Sequence, residues 1–369
     1  MPSVTVLGTR GYPSYYGGFE TMVRRIAPYL CDEGWDVTVY NRAGIDRRQH
    51  VADPRVHTIV TPGIETTSAS TLSYGLSAAV HASWRKPDVA LIMNVANGYF
   101  LPMLKKRGIP TVVNVDGVEW ERAKWSKPAR AVFYKGARLV AKHADVIVCD
   151  SKAIAELWRR EFKRESIYIP YGAETPGPLP RVDRLNGNPY ALMVSRFVPE
   201  NTISEFLDAT TIISRDWDVV IVGGAAHGGP LDHRVRHLAR SNDRVHWFGH
   251  LEDDDVLFSL WQHAGTYFHG HSVGGTNPAL VQAMACGSPT VARDTIFNRE
   301  VLSDAGVFTE PDPGDIADAV QTLLADPPRQ EELSKRVRRE AESRYGWDAV
   351  LRAYNETLTD AIGRRPASR

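Results

Sequence analysis

Gly265-Thr266-Tyr267-Phe268-His269, a short apolar run, leads into Gly270-His271-Ser272-Val273-Gly274-Gly275-Thr276-Asn277. Then come Pro278-Ala279-Leu280-Val281-Gln282-Ala283-Met284-Ala285-Cys286-Gly287 and a second apolar run at Pro289–Ala292. The order is strand, glycine-rich turn, helix, strand. Thr276 or Asn277 suits the helix N-cap, Pro278 the first turn and Gly287 the position just past the end. Two strands joined through a helix form a right-handed βαβ unit in a parallel sheet. Two glycines with Thr and Asn at the opening of a helix offer backbone N–H groups to a phosphate or a sugar hydroxyl.

The same alternation extends in both directions. Candidate strands lie at Val4–Leu7, Asp36–Tyr40, Val56–Val60, Val89–Asn94, Thr111–Val115, Asp145–Cys149 and Ser166–Ile169. A second series lies at Tyr190–Ser195, Asp218–Val222, Val245–Phe248, Gly265–His269, Pro289–Ala292 and Val307–Thr309. Several are rich in Val and Ile, as strands buried on both faces should be. Helical segments separate them, and Gln330–Tyr345 and Asp348–Ile362 close the chain as amphipathic helices. Five prolines between Pro170 and Pro189 mark a linker. The expected fold is α/β, two tandem doubly wound, Rossmann-like domains facing across a cleft. Residues 1–170 form the first, 171–189 the linker, 190–345 the second and 346–369 a C-terminal helix. Doubly wound sheets bind ligands at the carboxyl ends of their strands.

The 369 residues carry 44 Lys and Arg against 44 Asp and Glu, which excludes a duplex DNA binder that works by overall basic charge. Residues 1–170 hold 24 basic against 16 acidic residues, so the first half is the better candidate for an anionic partner. Cys31, Cys149 and Cys286 are odd in number and far apart, which suggests neither a disulfide framework nor a zinc site. The opening Met1–Gly8 does not read as a secretory leader, and no stretch of about 18 apolar residues exists to span a membrane.

Candidate chemistry follows the strands. The loop Gly8–Glu20 fits neither a dinucleotide fingerprint nor a P-loop, but Gly17-Gly18 opening a helix suits an anion, or else serves as a hinge. Asp116, Glu119 and Glu121 crowd another strand end beside Trp120; helix capping by Asp116 is the structural alternative. From residue 120 to 142, basic residues (Arg122, Lys124, Lys127, Arg130, Lys135, Arg138, Lys142) interleave with Trp125, Phe133 and Tyr134, with Glu121 the single acid. That pattern suits an anionic membrane surface, or a solvated helix with its aromatics turned inward. Arg196, just past the first strand of the second half, could hold a diphosphate by paired hydrogen bonds or pair with Glu200. Asp253-Asp254-Asp255 reads as a helix start rather than a metal site.

Taken together, the motifs resemble those of GT-B glycosyltransferases of retaining family 4, above all a rhamnosyltransferase-like bacterial branch. The matching strings are Gly8-Thr9-Arg10-Gly11, Tyr16-Gly17-Gly18-Phe19-Glu20-Thr21, Val115-Asp116-Gly117-Val118-Glu119-Trp120 and Arg122-Ala123-Lys124-Trp125. Ile169-Pro170-Tyr171-Gly172, Val198-Pro199-Glu200-Asn201, His269–Pro278 and Phe297-Asn298-Arg299-Glu300-Val301 complete the series. The resemblance implies a nucleotide-sugar donor held mainly by the second domain and a glycan acceptor held mainly by the first. Carried onto this chain, Gly17 and Gly18 approach the donor diphosphate, Arg196 and the position of Asn201 hold it, and His250 and Leu251 border the base. Gly275, Thr276 and Asn277 present the helix N-terminus, Gln282 meets the ribose, and Asp116 and Glu119 flank the reacting sugar.

Two departures stand out. Family 4 usually has glutamates eight positions apart across the glycine-rich turn, where this chain has Gly274 and Gln282. Its diphosphate lysine is replaced by Asn201. Arg196, Asp116 and Glu119 are the expected catalytic residues, with no metal and no cofactor. The resemblance suggests dTDP-L-rhamnose as donor and a polyprenyl-linked acceptor in surface polysaccharide assembly. A cytoplasmic enzyme, peripheral on the inner membrane face, is expected. A sugar-nucleotide epimerase and a non-catalytic sugar-nucleotide or glycan-binding module are the alternatives.

Overall fold

The computed structural model describes residues 1–14, 17–43, 52–65, 70–122, 125–183, 185, 187–225 and 228–363. Tyr16, Ala123 and Lys124 of the motif strings lie outside them. The chain divides into two units, Met1–Tyr171 with Asp348–Arg369, and Gly172–Trp347.

The first unit runs β1 (Ser3–Leu7), α1 (Gly18–Asp32), β2 (Asp36–Arg42), β3 (His57–Thr61), α2 (Ser70–Arg85) and β4 (Val89–Met93). A 3-10 turn, Val95–Phe100, enters α3 (Leu101–Lys106), followed by β5 (Thr111–Asn114), a short 3-10 turn at Glu119–Glu121, α4 (Lys127–His143), β6 (Val146–Cys149), α5 (Lys152–Phe162) and β7 (Ile167–Tyr168). The sheet order is β3-β2-β1-β4-β5-β6-β7, and every pairing is parallel. All five residues of β4 are buried, which explains why its sequence Val-Ala-Leu-Ile-Met shows no alternation. Gly136 lets α4 cross the 3-10 turn closely: a Cβ there would lie 2.5 Å from the Val95 carbonyl oxygen.

The second unit contains β8 (Tyr190–Val194), α6 (Ile203–Ile213), β9 (Asp218–Val222), α7 (Pro230–Ser241), β10 (Val245–Gly249), α8 (Asp254–His263) and β11 (Thr266–His269). It continues through α9 (Pro278–Ala285), β12 (Thr290–Arg293), α10 (Ile296–Leu302), β13 (Val307–Thr309), α11 (Pro313–Leu324) and α12 (Pro327–Arg344). Its parallel sheet has the order β10-β9-β8-β11-β12-β13. Strand order reverses between β1 and β4 in one sheet and between β8 and β11 in the other, and such switch points are where open α/β sheets leave a crevice. In the second core, Phe206 of α6 stacks on Phe268 of β11 with ring centroids 4.9 Å apart.

The last helix, α13 (Trp347–Gly363), belongs to the first unit. Trp35 donates from Nε1 to Asn355 Oδ1 (2.8 Å), and Asn114 donates from Nδ2 to the Tyr354 hydroxyl (2.6 Å). The periodicity of residues 348–362 marks a helix but not the sheet it covers. The linker ends in a tight contact of its own: a Cβ at Gly172 would lie 2.5 Å from the Trp347 ring.

Candidate functional site

In the second unit the loops after β8 and β11, the two strands at the switch point, are stitched together. Thr202 Oγ1 donates to the Gly270 carbonyl (2.6 Å), and the backbone N–H and hydroxyl of Ser272 both donate to the Glu200 carbonyl (2.9 Å each). Arg293 reaches Thr202 Oγ1 from below (3.1 Å). The Arg196 segment and the glycine-rich turn of α9 are thereby fixed as one structure.

Within it Arg196 is exposed, and its neighbours are not. Asn201 is buried and donates from Nδ2 to Ser195 Oγ and to the Arg196 carbonyl, each at 2.9 Å. That amide holds the arginine's own backbone in place. Gly223 guards the same turn: its φ is +119°, and a Cβ would fall 1.9 Å from the Ser195 carbonyl oxygen. A side chain there would displace the end of β8.

The α9 turn follows. Gly274 has φ +127°, Gly275 and Thr276 are buried, and Asn277 caps the helix by accepting from the Ala279 N–H (2.9 Å). Pro278 stands in the first turn. Asn298 ties the turn to α10 by donating to the His271 and Arg293 carbonyls (3.0 and 2.9 Å). Arg338 of α12 closes the other end of α9 at the Cys286 carbonyl (3.1 Å). Gln282, one turn into α9, is bonded at both ends of its amide to the Glu174 backbone. His250 is exposed and Leu251 half-buried beyond β10, after Gly249 at φ +66°. Asp253 caps α8 by accepting from the Asp255 and Val256 N–H groups.

Beneath the turn, His269 and His271 stack with ring centroids 4.5 Å apart. The Tyr267 hydroxyl lies 2.9 Å from His269 Nδ1, and burial drives the His269 imidazole down to about 3, so it is neutral at pH 7.

In the first unit, the strand-end acids gather around one guanidinium. Arg122 Nε lies 2.6 Å from Glu119 Oε1, and its Nη2 lies 3.6 Å from Asp116 Oδ2. Trp125 Nε1 donates to Glu119 Oε2 (3.1 Å). Asp116 does not cap a helix. It takes φ +52° and donates its N–H to Asn114 Oδ1 (2.8 Å), while Ser126 caps α4. Burial first, then the charges of Asp116 and Asp150, raise the Tyr171 hydroxyl well above its ordinary value. Arg122 and Tyr171 stand in the motif strings without an assigned role at this site, and Asp150 and Tyr354 were not singled out by sequence. They come from the ends of β5, β6 and β7 and from α13, and no single local motif joins them.

Gly17 caps α1 with extended backbone and no side chain, and a Cβ there would lie 3.3 Å from Glu20 Oε2. The buried Glu20 carboxylate also stands there, accepting from the Arg10 N–H (3.0 Å). A carboxylate in the first turn already occupies part of the helix's positive end. On α4, Phe133 is buried and packs on Trp125 (5.1 Å), while Tyr134 is exposed and meets Trp120 edge-on; Trp120 also meets Phe162 edge-on (5.8 Å each). A cavity of about 250 Å³ lies between Thr71, Leu72 and Ala96 and the α4 start, Trp125–Phe133. Among the described residues no group of three His, Cys, Asp or Glu side chains is gathered as a metal site.

Two parallel doubly wound sheets, each with its loops at the strand ends, define the class: this is the GT-B fold of glycosyltransferases. Residues 180–340 match the family described as "Glycosyl transferases group 1", and residues 1–174 match "Domain of unknown function (DUF1972)". A sucrose-phosphate synthase from Thermosynechococcus elongatus superposes with a TM-score of 0.82 at 18% identity, over 98% of this chain and 100% of that one. Anabaena HepE in complex with UDP-glucose superposes with a TM-score of 0.74 at 15% identity, over 98% and 100%. In sequence, the O-antigen chain mannosyltransferase B of Escherichia coli is 26% identical over 169 residues, 44% of each chain. That match therefore spans under half the relative's length.

Proposed function

We propose that the chain is a retaining family 4 glycosyltransferase of the rhamnosyltransferase-like branch. It moves a sugar, L-rhamnose from dTDP-L-rhamnose in the first instance, onto a polyprenyl-linked glycan in surface polysaccharide assembly. The observation that carries this reading is the stitched pair of loops at the β8/β11 switch point, where exposed Arg196 and the α9 N-terminus are held in one structure. The group 1 match over residues 180–340 and the names of the relatives support a nucleotide-sugar donor and a polysaccharide product.

In this reading the donor's bond from sugar to phosphate breaks through an oxocarbenium-like state. Negative charge grows on the leaving diphosphate, where Arg196 and the N–H groups of Gly275, Thr276 and Asn277 stabilise it without a metal. The acceptor hydroxyl attacks from the face the diphosphate leaves and passes its proton to a diphosphate oxygen, so configuration is retained. Asp116 and Glu119, with their charge balanced by Arg122, orient the sugars. The enzyme works in the cytoplasm at the inner membrane face, with the basic residues of α4 toward anionic lipid.

One observation favours a second reading, a sugar-nucleotide-binding module without turnover: the Gln282 amide is already engaged by Glu174. Incubation with dTDP-, UDP- and GDP-sugars and a lipid-linked acceptor separates the two. Sugar transfer with release of nucleoside diphosphate supports the transferase. Binding without turnover supports the module, and interconversion of the donor without acceptor would point to an epimerase.

A further inference from the structure

We infer that α2 carries an apolar ridge that inserts into the surface of an anionic lipid bilayer, whatever reaction the chain performs. Leu76, Val80 and Trp84 stand four residues apart and so follow one side of the helix. They are 49%, 39% and 78% exposed, against a helix whose opposite side, with Tyr74, Ala78 and Ala82, is buried. Ile64, 62% exposed, lies beside them because its N–H donates to Ser73 Oγ of α2 (2.9 Å). Isolated exposed apolar side chains are ordinary, but a ridge ending in an indole is not.

Charge identifies the occupant. Arg85 and Lys86 follow Trp84 directly, and Arg107 donates from Nε to the Ser83 carbonyl (3.0 Å). That bond sets the end of α3, with exposed Lys105 and Lys106, against the turn that bears Trp84. The end of α4 joins them: burial first, then the charges of Lys142 and Lys105, lowers the His143 imidazole. Helices α2, α3 and α4 contain no acidic residue, and Arg85, Lys86, Lys105 and Lys106 have no ion-pair partner among the described residues. Aliphatic side chains and an indole, bordered by unneutralised cations, match a bilayer interface with negative headgroups. Of the α4 aromatics, Phe133 is buried and Tyr134, 37% exposed, lies edge-on against Trp120, so the apolar ridge itself is that of α2 and the cations of α3 and α4 supply its charge.

Co-sedimentation of the full chain with vesicles, without donor or acceptor, tests this independently of any transferase assay. The chain should bind phosphatidylglycerol-containing vesicles, bind pure phosphatidylcholine weakly, and release as salt rises. Lys105→Gln with Lys106→Gln should weaken binding about thirtyfold. Trp84→Ala should weaken it at least about tenfold, with thermal unfolding unchanged. Ile296→Ser, at a 66% exposed apolar site in the second unit, should bind like the parent. No vesicle binding, equal binding to both lipids, or binding indifferent to Trp84→Ala would overturn the inference. So would self-association that Trp84→Ala abolishes while vesicles are ignored, since the ridge would then serve a second copy of the chain.

Discussion

The side-chain amide of Gln282 grips the backbone of Glu174 from both sides: Oε1 accepts from its N–H at 3.0 Å, and Nε2 donates to its carbonyl at 2.7 Å. The contact pins the linker, just after Gly172, to the helix whose N-terminus faces the proposed diphosphate. A glutamate could accept from the N–H but could not donate to the carbonyl.

Gln282→Glu should therefore destabilise the second unit by about 1–2 kcal/mol, because one hydrogen bond is lost and a carboxylate is set against a carbonyl oxygen. Denaturant unfolding measures it. Nucleotide affinity, followed in the same variant by calorimetry, should rise if the ribose competes with Glu174 for this side chain. An unchanged unfolding midpoint would show that the clamp contributes nothing.

Arg196→Ala should weaken nucleoside diphosphate binding by roughly 1.5–3 kcal/mol, the size of a charge-assisted hydrogen bond, with little change in stability because the side chain is exposed. Gly223→Ala should reach the same defect by another route, since its Cβ would collide with the Ser195 carbonyl 1.9 Å away and move the turn. Titration calorimetry on both variants checks this. Wild-type affinity in Arg196→Ala would remove the residue from the donor site.

Arg122→Ala should be the costlier change. Glu119 is buried, and removing its guanidinium partner leaves a carboxylate uncompensated, at roughly 3–5 kcal/mol. Replacing both residues by apolar ones, Arg122→Met with Glu119→Leu, should recover much of that loss while removing Glu119 and its partner from the proposed sugar site. Chemical denaturation of the two variants, read with transfer activity, separates the structural part from the chemical one.

His269 gives the second unit an acid-sensitive element. Burial depresses its folded-state value to about 3 from the ordinary 6.5, so between those limits the unfolded chain binds the extra proton. The stabilisation is complete above about pH 6.5 and declines by up to about 1.4 kcal/mol per pH unit as pH falls toward 3. His269→Gln should flatten this part of the stability–pH curve. An unaltered slope would mean that other groups dominate acid unfolding.

Much of the architecture was legible. Among the described residues each strand falls where an apolar run predicted it, and those covered on both faces, such as β4, read as continuous hydrophobic runs because they have few alternatives. The 3-10 turn at Val95–Phe100, α3 and α10 were not anticipated. They are short, and a six- or seven-residue helix has too few turns to show periodicity. The α9 turn was read correctly in its local chemistry, with Pro278 in the first turn and the cap at Asn277, one of the two residues offered for it, because capping depends on neighbours in sequence. Roles that depend on how the chain folds back on itself were not legible. Asn201 stands where a ligand lysine was expected, yet its amide is spent on Ser195 and Arg196.

By itself the sequence determined the alternation of strands and helices, the two doubly wound halves and the glycine-rich helix start, since each is written in hydrophobic period and turn residues a few positions apart. Tertiary structure alone decided that α13 returns to the first unit through Trp35–Asn355 and Asn114–Tyr354, and that Gln282 closes on Glu174. Those pairings join groups up to hundreds of residues apart. Their energy comes from desolvated polar atoms finding one another in the folded chain, and no local pattern of residues encodes that meeting.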